Sequence, residues 1–353
     1  MTALRHVKPA VRALAAYTLA ARSAEVKVDQ NENPRDLPVE LKRQVLEKAL
    51  ARPWNRYPPF DPWELQGALA ASAGWRADGV LVGNGSNELI EALLMVTVGE
   101  GTPVVIPQPT FALYALLTRV LGGTVVAVPL DDHLQYDVHA LAAARREHRA
   151  PLTIVCSPNN PTGGVLEPAA VEQLCAESDG LVAVDEAYHE FSGISVVPLL
   201  ERYPNLVVLR TFSKAMAMAG LRVGYLLASP ELVREVDKAR LPYNLNVISQ
   251  MAALAALGHR DAMAAGVRGI VDERHRLADL RGLSAYPSRA NFILVELATR
   301  APRDVFEALH ARGVLVRDVS AHPRLARCLR ISVGTPDEND RLLSALADVL
   351  EGR

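Results

Sequence analysis

Apolar and polar positions follow two alternating patterns between about residues 80 and 228. Short runs rich in valine, isoleucine and leucine predict buried strands, and the stretches between them, where apolar residues recur at helical spacing, predict amphipathic helices. The predicted strands are residues 79–82, 103–106, 124–128, 152–156, 181–184, 206–209 and 224–228, with helices beginning near Asn87, Thr110, Asp137 and Pro168. This pattern predicts an α/β fold, in which a mostly parallel sheet is covered by helices on both faces.

The pattern changes after about residue 248, where an alanine-rich helical region runs to about residue 281. The elements predicted beyond it are a strand at 291–296, a helix at 303–311, and strands at 314–317 and 329–333. A last helix is predicted to open at Thr335, because a proline follows this capping residue and Glu338 lies three positions after it. We therefore expect a large domain at 51–250 and a smaller α+β domain at 251–353, with residues 1–50 contributing to the small domain and to a dimer interface.

Composition narrows the classes of function. The 353 residues are 50% hydrophobic, which is enough for a large core, and 38 basic against 40 acidic residues give a formal net charge of −2. A chain of this charge has no basic field for nucleic acid and no polybasic patch for a membrane surface. The three isolated cysteines form no CxxC pair, so neither a metal site nor a disulfide framework is expected. Together with the lack of a signal-peptide pattern or a spanning apolar window, this composition favours a cytoplasmic protein.

Lys214 is the most informative residue for chemistry. It follows the buried run 206–210, and a lysine at such a place is costly unless its amine is neutral and nucleophilic, as in Schiff-base chemistry. Thr211, Ser213 and Arg222 place hydroxyls and a fixed cation close by in the sequence. This combination suits a cofactor with an aldehyde and a phosphate, such as pyridoxal 5′-phosphate (PLP). The alternative is an ordinary structural or solvated lysine, as most lysines are.

A glycine-rich segment at residues 81–88 follows a predicted strand and opens a helix. The backbone N–H groups of Ser86 and Asn87 would point at an anion there, with the helix dipole assisting. The segment is similar to a dinucleotide-binding loop, but Glu88 replaces the third glycine, which weakens that interpretation. The alternative is a plain turn in which Ser86 caps the helix.

Three more segments place polar or aromatic groups near predicted strand ends. Asn159 lies in a loop fixed by prolines and glycines, and its amide is a candidate hydrogen-bond donor to a ring oxygen. Asp185 is a candidate partner for a protonated pyridine nitrogen, and Tyr188 for the ring's phenolic oxygen. Phe111 is a candidate for stacking on the ring. Taken singly, these residues also fit a turn, a helix cap and a core aromatic residue.

The order and separation of these motifs resemble the fold-type-I PLP-dependent aminotransferases over almost the whole chain. The matching segments are residues 159–163, 185–188, 213–214 and 219–225. The resemblance implies that Lys214 bonds covalently to the cofactor, that Asp185 pairs with the ring nitrogen, and that Asn159 and Tyr188 contact the ring oxygen. It implies further that Phe111 stacks on the ring and that Thr211, Ser213, Arg222, Ser86 and Asn87 lie around the phosphate.

Within that family the chain is most similar to the histidinol-phosphate aminotransferase subfamily. The segments that carry this likeness are residues 11–17, 29–34, 55–58, 316–318 and 329–335. The likeness implies a homodimer in which Tyr57 reaches the cofactor phosphate of the neighbouring subunit. It also implies that Tyr17, Arg317 and Arg330 contact anionic groups of the substrate.

Two residues depart from the subfamily pattern. Arg35 stands where an aromatic residue is frequent, and Asn87 stands where an acid is frequent. Either change is expected to adjust the substrate pocket and to leave the reaction unchanged.

The implied activity is a two-stage transamination in histidine biosynthesis. Histidinol phosphate would donate its amino group to PLP and leave as imidazole-acetol phosphate, and 2-oxoglutarate would then accept the amino group and leave as glutamate. Two alternatives share the cofactor: an aromatic or broad-specificity aminotransferase and a threonine-phosphate decarboxylase. An alternative of another class is a non-catalytic nucleotide-binding α/β protein in which Lys214 is structural.

Overall fold

The computed structural model describes residues 3–16, 18, 21–177, 179–279 and 283–352. The strands within these residues are β1 Val26–Lys27, β2 Val80–Gly83, β3 Pro103–Gln108, β4 Thr124–Pro129, β5 Leu152–Cys156, β6 Leu181–Asp185, β7 Leu206–Thr211, β8 Gly224–Leu227, β9 Ser284–Tyr286, β10 Phe292–Glu296, β11 Val314–Leu315, β12 Arg317–Asp318 and β13 Cys328–Ser332. The helices are α1 Pro9–Arg12, α2 Val39–Leu50, α3 Trp63–Ala73, α4 Ser86–Thr97, α5 Ala112–Val120, α6 Val138–His148, α7 Pro168–Ala176, α8 His189–Ser192, α9 Pro230–Asp237, α10 Val247–Leu257, α11 Arg260–Ala278, α12 Pro302–Ala311 and α13 Pro336–Glu351.

The central element is a seven-stranded sheet with the order β2-β8-β7-β6-β5-β3-β4. Strands β3 to β7 pair in parallel, whereas β8 runs antiparallel to both of its neighbours. All seven predicted strands are confirmed, with ends that differ by at most two residues, and the starts of α4 to α7 agree equally well. The α/β fold with a mostly parallel sheet is therefore confirmed.

The core explains why the central strands are apolar at every position. In β7, Val207 and Leu209 point into one hydrophobic cluster, while Leu206 and Val208 point into a second cluster on the other face of the sheet. All four side chains are fully buried. Burying a side chain of this size contributes about 1.5–3 kcal/mol, so strands covered on both faces favour unbroken apolar runs.

A second sheet has the order β12-β13-β10-β9 and is antiparallel throughout. The prediction of one strand at 314–317 is wrong, because Val314 and Leu315 pair in parallel with β1 while Arg317 and Asp318 pair with β13. The predicted alanine-rich helical region consists of two helices, α10 and α11, which are separated at Gly258 and His259. The expected domain boundaries at 50 and 250 stay predictions; the second falls inside α10, which packs on α2 and α3.

The strand registers bring the ends of β2, β5, β6 and β7, and the start of β8, to one edge of the large sheet. Cys156 lies opposite Asp185, Asp185 lies opposite Leu209, and Gly224 lies opposite both Thr211 and Gly83. The loops at these strand ends therefore meet at this edge, where open α/β sheets bind their ligands.

No helix in the described part of the chain is long and apolar enough to span a bilayer.

The predicted capping box of α13 is present. The Thr335 hydroxyl accepts a hydrogen bond from Glu338 N at 3.3 Å, and the Glu338 carboxylate accepts one from Thr335 N at 2.8 Å. We predict that Thr335→Ala lowers the free energy of unfolding by about 1 kcal/mol, because the helix loses a side-chain cap. Urea denaturation checks this value, with Thr335→Ser, which keeps the hydroxyl, as the control. An unchanged urea midpoint in the alanine variant would contradict it.

Candidate active site

A cavity of about 470 Å³ lies at the edge where the strand ends meet, between the large sheet and the second sheet. It is lined by eleven of the residues that the sequence singles out: Ser86, Asn87, Phe111, Asp185, Tyr188, Thr211, Ser213, Lys214, Arg222, Arg317 and Arg330. Residues spread over most of the chain thus share one site.

Lys214 lies half-buried just after β7, and its Nζ donates a hydrogen bond to the backbone carbonyl of Gln30 at 3.0 Å. Nζ is 5.9 Å from the centre of the Tyr188 ring. Burial, followed by the nearby cation of Arg330, lowers the pKa of the Lys214 amine to about 7. At a pKa of about 7, a large fraction of this amine is neutral near neutral pH.

Asp185 ends β6 with only 3% of its surface exposed. Its Oδ2 accepts a hydrogen bond from the Tyr114 hydroxyl at 2.6 Å, and its Oδ1 accepts one from Ala187 N at 3.0 Å. Burial raises the pKa of Asp185 to about 6, although the Tyr114 hydrogen bond acts in the opposite direction. A carboxylate held in this way gains most from a cationic partner that enters the cavity.

The neighbouring acid, Glu186, has a structural environment. It is 1% exposed, its carboxylate pairs with Arg210 at 2.9 Å, and Ser195 donates a further hydrogen bond at 3.0 Å. The charges of Glu186 and Arg210 compensate each other, so the pair is tolerated in a buried position. The two adjacent acids therefore differ: one faces the cavity and the other supports the sheet.

The side chain of Tyr188 is held by Asn31, a residue from the N-terminal part of the chain. Asn31 Nδ2 donates to the Tyr188 hydroxyl at 3.1 Å, and Asn31 itself adopts a left-handed backbone with φ of 53°. Ser332 on β13 donates to Asn31 Oδ1 at 2.9 Å, and Asn291 donates to the Asn31 carbonyl at 3.0 Å. The second sheet thereby fixes the residue that orients Tyr188.

One end of the cavity forms a cradle at the start of α4. Ser86 and Asn87 occupy the first two positions of this helix, whose leading N–H groups have no partner within the helix. Gly85 has φ of 79°, and a Cβ there would lie 2.4 Å from Arg222 Nη2. A Cβ on Gly224 would lie 2.2 Å from Ser86 N. A side chain on Gly224 would therefore clash with the backbone of the cradle, and one on Gly85 would be strained by the positive φ and would displace the Arg222 guanidinium.

Hydroxyl groups and a cation complete this cradle. Arg222 Nη1 donates to Ser213 Oγ at 3.0 Å and to the Ala219 carbonyl at 3.1 Å, which fixes the guanidinium. Thr211 Oγ1 lies 3.0 Å from Ser213 Oγ. Backbone N–H groups, hydroxyls and a guanidinium are the donor set that a phosphate monoester requires.

The opposite end of the cavity carries two more arginines. Arg330 Nη1 donates to Asn160 Oδ1 at 2.6 Å, and Nη2 donates to the Asp29 carbonyl at 2.6 Å. Arg317 lies beside it, because the two arginines are paired across β12 and β13. Burial and these two cations lower the pKa of His322, which also lines the cavity. This end is suited to a second anion.

Two predicted residues that the structure describes, Asn159 and Tyr57, are not among those that line the cavity. Asn159 is fully buried; its amide donates to the Pro109 carbonyl and to Thr162, and it accepts a hydrogen bond from Thr110. Its hydrogen-bonding groups are thus used within the loop and its neighbours. Tyr57 is 79% exposed and stacks on Tyr243 with ring centres 4.4 Å apart. Tyr17 lies outside the described residues.

The cavity also contains residues that the sequence does not single out, chiefly Asn160, Tyr114 and His322. Asn160 belongs to the same loop motif as Asn159, but residue order does not say which of two adjacent amides faces a ligand. Of the two departures from the subfamily pattern, Asn87 lines the cavity, whereas Arg35 is exposed and lines a neighbouring depression.

The donor set at each position fits PLP. The cradle has the donors that a phosphate needs, Asp185 is a buried acceptor suited to a ring cation, and Lys214 is an amine suited to an aldehyde. Phe111, which packs edge-to-face on Tyr114 with ring centres 5.5 Å apart, offers an aromatic surface at the wall of the cavity.

Comparison with known proteins agrees with this chemistry. Residues 24–346 match the model of the family "Aminotransferase class I and II". A histidinol-phosphate aminotransferase from Chlorobaculum tepidum is 39% identical over 96% of this chain and 99% of its own length. The crystal structure of histidinol-phosphate aminotransferase from Sinorhizobium meliloti in complex with pyridoxal-5′-phosphate superposes with a TM-score of 0.90 at 27% identity, covering 98% of each chain. The L-threonine-O-3-phosphate decarboxylase from Porphyromonas gingivalis, at 24% identity and a TM-score of 0.79, covers 92% of this chain and 99% of its own and shares the fold.

The depressed pKa of Lys214 leads to a direct chemical test. In protein freed of PLP, we predict that Lys214 reacts with an amine-specific reagent with a midpoint near pH 7, because the neutral amine is the reactive form. Peptide mass spectrometry would follow the labelling rate against pH, with the exposed Lys238 as the reference in the same digest. Arg330→Gln should move the midpoint upward, since a nearby cation is removed. A wild-type midpoint close to the ordinary lysine value of about 10.4 would contradict the prediction.

Proposed function

The chain belongs to the aminotransferase class I and II family, and we propose that its site transfers the amino group of histidinol phosphate to 2-oxoglutarate. The products are imidazole-acetol phosphate and glutamate, and the reaction is a step of histidine biosynthesis. The observation that carries this proposal is one cavity with a nucleophilic lysine between two anion-binding ends, in a chain that matches histidinol-phosphate aminotransferases over nearly its full length.

PLP, when bound, supplies an aldehyde that condenses with amines and a protonated ring that accepts the electron pair released at the substrate α-carbon. The cradle of Ser86, Asn87, Ser213 and Arg222 would hold its phosphate, with Thr211 supporting Ser213. Phe111 would lie against a ring face.

Asp185 and Tyr188 would hold the two polar edges of the ring. Asp185 keeps a proton on the ring nitrogen, because an ionised carboxylate in so buried a position favours a cation beside it. Tyr188 would contact the ring oxygen, and the hydrogen bond from Asn31 orients the Tyr188 hydroxyl. We propose Asn160 as the amide that assists at this oxygen, since Asn159 is committed to its own loop.

Lys214 acts as the proton carrier. Its neutral Nζ accepts the proton from the substrate α-carbon and returns it on the cofactor side, which is general base and then general acid catalysis by one group. The Gln30 carbonyl positions the amine through the 3.0 Å hydrogen bond. The pKa of about 7 matches this task, because both protonation states are accessible near neutral pH.

Arg330 and Arg317 would bind the anions of the two substrates in turn. In histidinol phosphate the phosphoester stands next to the amine-bearing carbon, where glutamate carries its α-carboxylate. One arginine-lined end can therefore serve both, because a guanidinium forks onto carboxylate and phosphate alike. Arg330 is held ready for this by Asn160 and the Asp29 carbonyl. Tyr17 stays a predicted third contact.

A homodimer completes the proposal. Tyr57 projects from its own subunit with 79% of its surface exposed, and it is not among the residues that line the cavity of its own chain. It stacks on Tyr243, which also contacts the exposed Phe60 edge-to-face. An exposed aromatic patch of this kind is typical of a protein–protein interface. In the dimer Tyr57 would contact the cofactor phosphate of the partner subunit. The cytoplasmic location likewise stays a prediction.

A panel of amine donors tests the substrate. We predict that histidinol phosphate reacts in the first half-reaction with a higher kcat/KM than phenylalanine or tyrosine, because its doubly charged phosphate meets the two arginines where those donors present a singly charged carboxylate, and that phosphothreonine is not decarboxylated. The loss of the cofactor's visible absorbance in single-turnover experiments measures this. A preference for phenylalanine or tyrosine would indicate the broad-specificity alternative, and release of carbon dioxide from phosphothreonine would indicate the decarboxylase.

Subunit complementation tests the crossing of Tyr57. Lys214→Ala should be inactive, and Tyr57→Ala should bind PLP weakly. In a mixed dimer, one site combines Lys214 of the Tyr57→Ala subunit with Tyr57 of the Lys214→Ala subunit and is therefore intact. We predict that mixing the two variants after mild unfolding restores activity above the sum of the separate samples. Mixing Lys214→Ala with Asp185→Ala is the control and should restore none, because both residues belong to the same subunit's site. Absence of recovery in the first mixture would contradict the crossing.

A further inference from the structure

Tyr114 is a buried residue beneath the active site to which the sequence assigns no function. It lies in the first turn of α5, and its side chain is completely buried. Its hydroxyl donates to Asp185 Oδ2 at 2.6 Å, which is short for a hydrogen bond and typical of a carboxylate acceptor. The contact joins α5 to the end of β6.

The position of Tyr114 follows from helix geometry. Phe111 lies at the cavity wall just before α5, and Tyr114, three residues later, turns beneath it into the apolar core. Thr118, one turn further on, donates its hydroxyl to the Tyr114 carbonyl at 2.8 Å. A buried phenol requires a hydrogen-bond partner, and Asp185 supplies the acceptor.

The hydrogen bonds leave Asp185 with a defined orientation. Ala187 N occupies Oδ1 and Tyr114 occupies Oδ2, while the carboxylate still lines the cavity. Each carboxylate oxygen keeps a second lone pair. The two fixed donors set the orientation of the carboxylate and therefore the direction in which these lone pairs point. We propose that Tyr114 is a positioning residue for the transamination proposed above: it keeps Asp185 ionised and aimed at the ring nitrogen of the cofactor.

The titratable groups around Asp185 agree with this assignment. Tyr114, the Cys156 thiol, the adjacent Glu186 and the Lys214 amine all influence it or its donor. Burial raises the pKa of Tyr114 well above the ordinary range, so its proton is present at every working pH. Its hydrogen bond lowers the pKa of Asp185, so removing the hydroxyl raises that pKa.

Tyr114→Phe tests the proposal through binding alone. Pyridoxamine 5′-phosphate is the probe, because it has the same ring nitrogen and phosphate but no aldehyde to react with Lys214. Its affinity for the full-length protein freed of PLP should fall as the pH drops through the pKa of Asp185, since a protonated carboxyl cannot pair with the ring cation. In Tyr114→Phe this fall should begin about one pH unit higher, because a hydrogen bond to a charged group is lost. The probe should then bind about twofold more weakly than to the wild-type protein at pH 7, and about tenfold more weakly near pH 5.

Tyr136→Phe is the matched control. Tyr136 is a half-buried phenol beside β5, and it donates to the Cys156 carbonyl and not to Asp185. The Tyr136→Phe variant should bind the probe with the same pH midpoint as the wild-type protein. Equal shifts in both phenylalanine variants, or no shift in Tyr114→Phe, would overturn the proposal.

Introducing Tyr114→Phe into the Asp185→Asn protein distinguishes a positioning role of Tyr114 from a role in packing alone. There Tyr114→Phe should cause no further change in the pH dependence, because the group it acts on no longer ionises. If Tyr114→Phe alone fails to fold but folds when combined with Asp185→Asn, that rescue also supports an action on the Asp185 charge. A shift that persists in the double variant, or a double variant that fails to fold as the single one does, would overturn it. Failure of the wild-type protein to bind the probe or to transaminate would instead count against the proposed function.

Discussion

A single buried negative charge places the strongest constraint on this structure. Asp185 ends a strand that is covered on both faces, and burial raises its pKa from 3.8 to about 6, a shift worth about 3 kcal/mol against the ionised form. Because the folded pKa lies above the unfolded one, this group favours folding at low pH and loses that contribution as the pH rises through about 6. At neutral pH the folded protein therefore carries a cost that a cation in the cavity offsets.

Lys214 lines the same cavity, and its pKa is shifted in the opposite direction. Burial disfavours the charged form of both residues, so it raises the pKa of the acid to about 6 and lowers that of the amine to about 7. Two groups that are ordinarily far apart in pKa are thus brought to nearly the same pH range. The amine can be nucleophilic there while the carboxylate is still ionised, and PLP chemistry needs both conditions together.

The sequence predicts the parts of the site that depend on strand ends. A buried apolar run has a clear end, and Asp185, Thr211 and Lys214 stand at or just after such ends. Contacts that depend on tertiary geometry are not predictable in this way. Asn160 faces the cavity and Asn159 does not, because the directions of side chains in a loop do not follow from residue order. The split of 314–317 into two strands has the same origin, since its two halves pair with different partners.

The two ends of the cavity belong to different sheets, and this division has a consequence for specificity. The phosphate cradle is built from loops of the seven-stranded sheet, whereas Arg317 and Arg330 come from the four-stranded one. Under the proposed function, the second sheet therefore supplies the contacts to the substrate's anion, and the loops of the first sheet supply those to the cofactor phosphate. Asn31 and Arg330 link the two parts. Asn31 is bonded to β13 and also orients Tyr188, and Arg330 on β13 is bonded to Asn160 in the loop after β5.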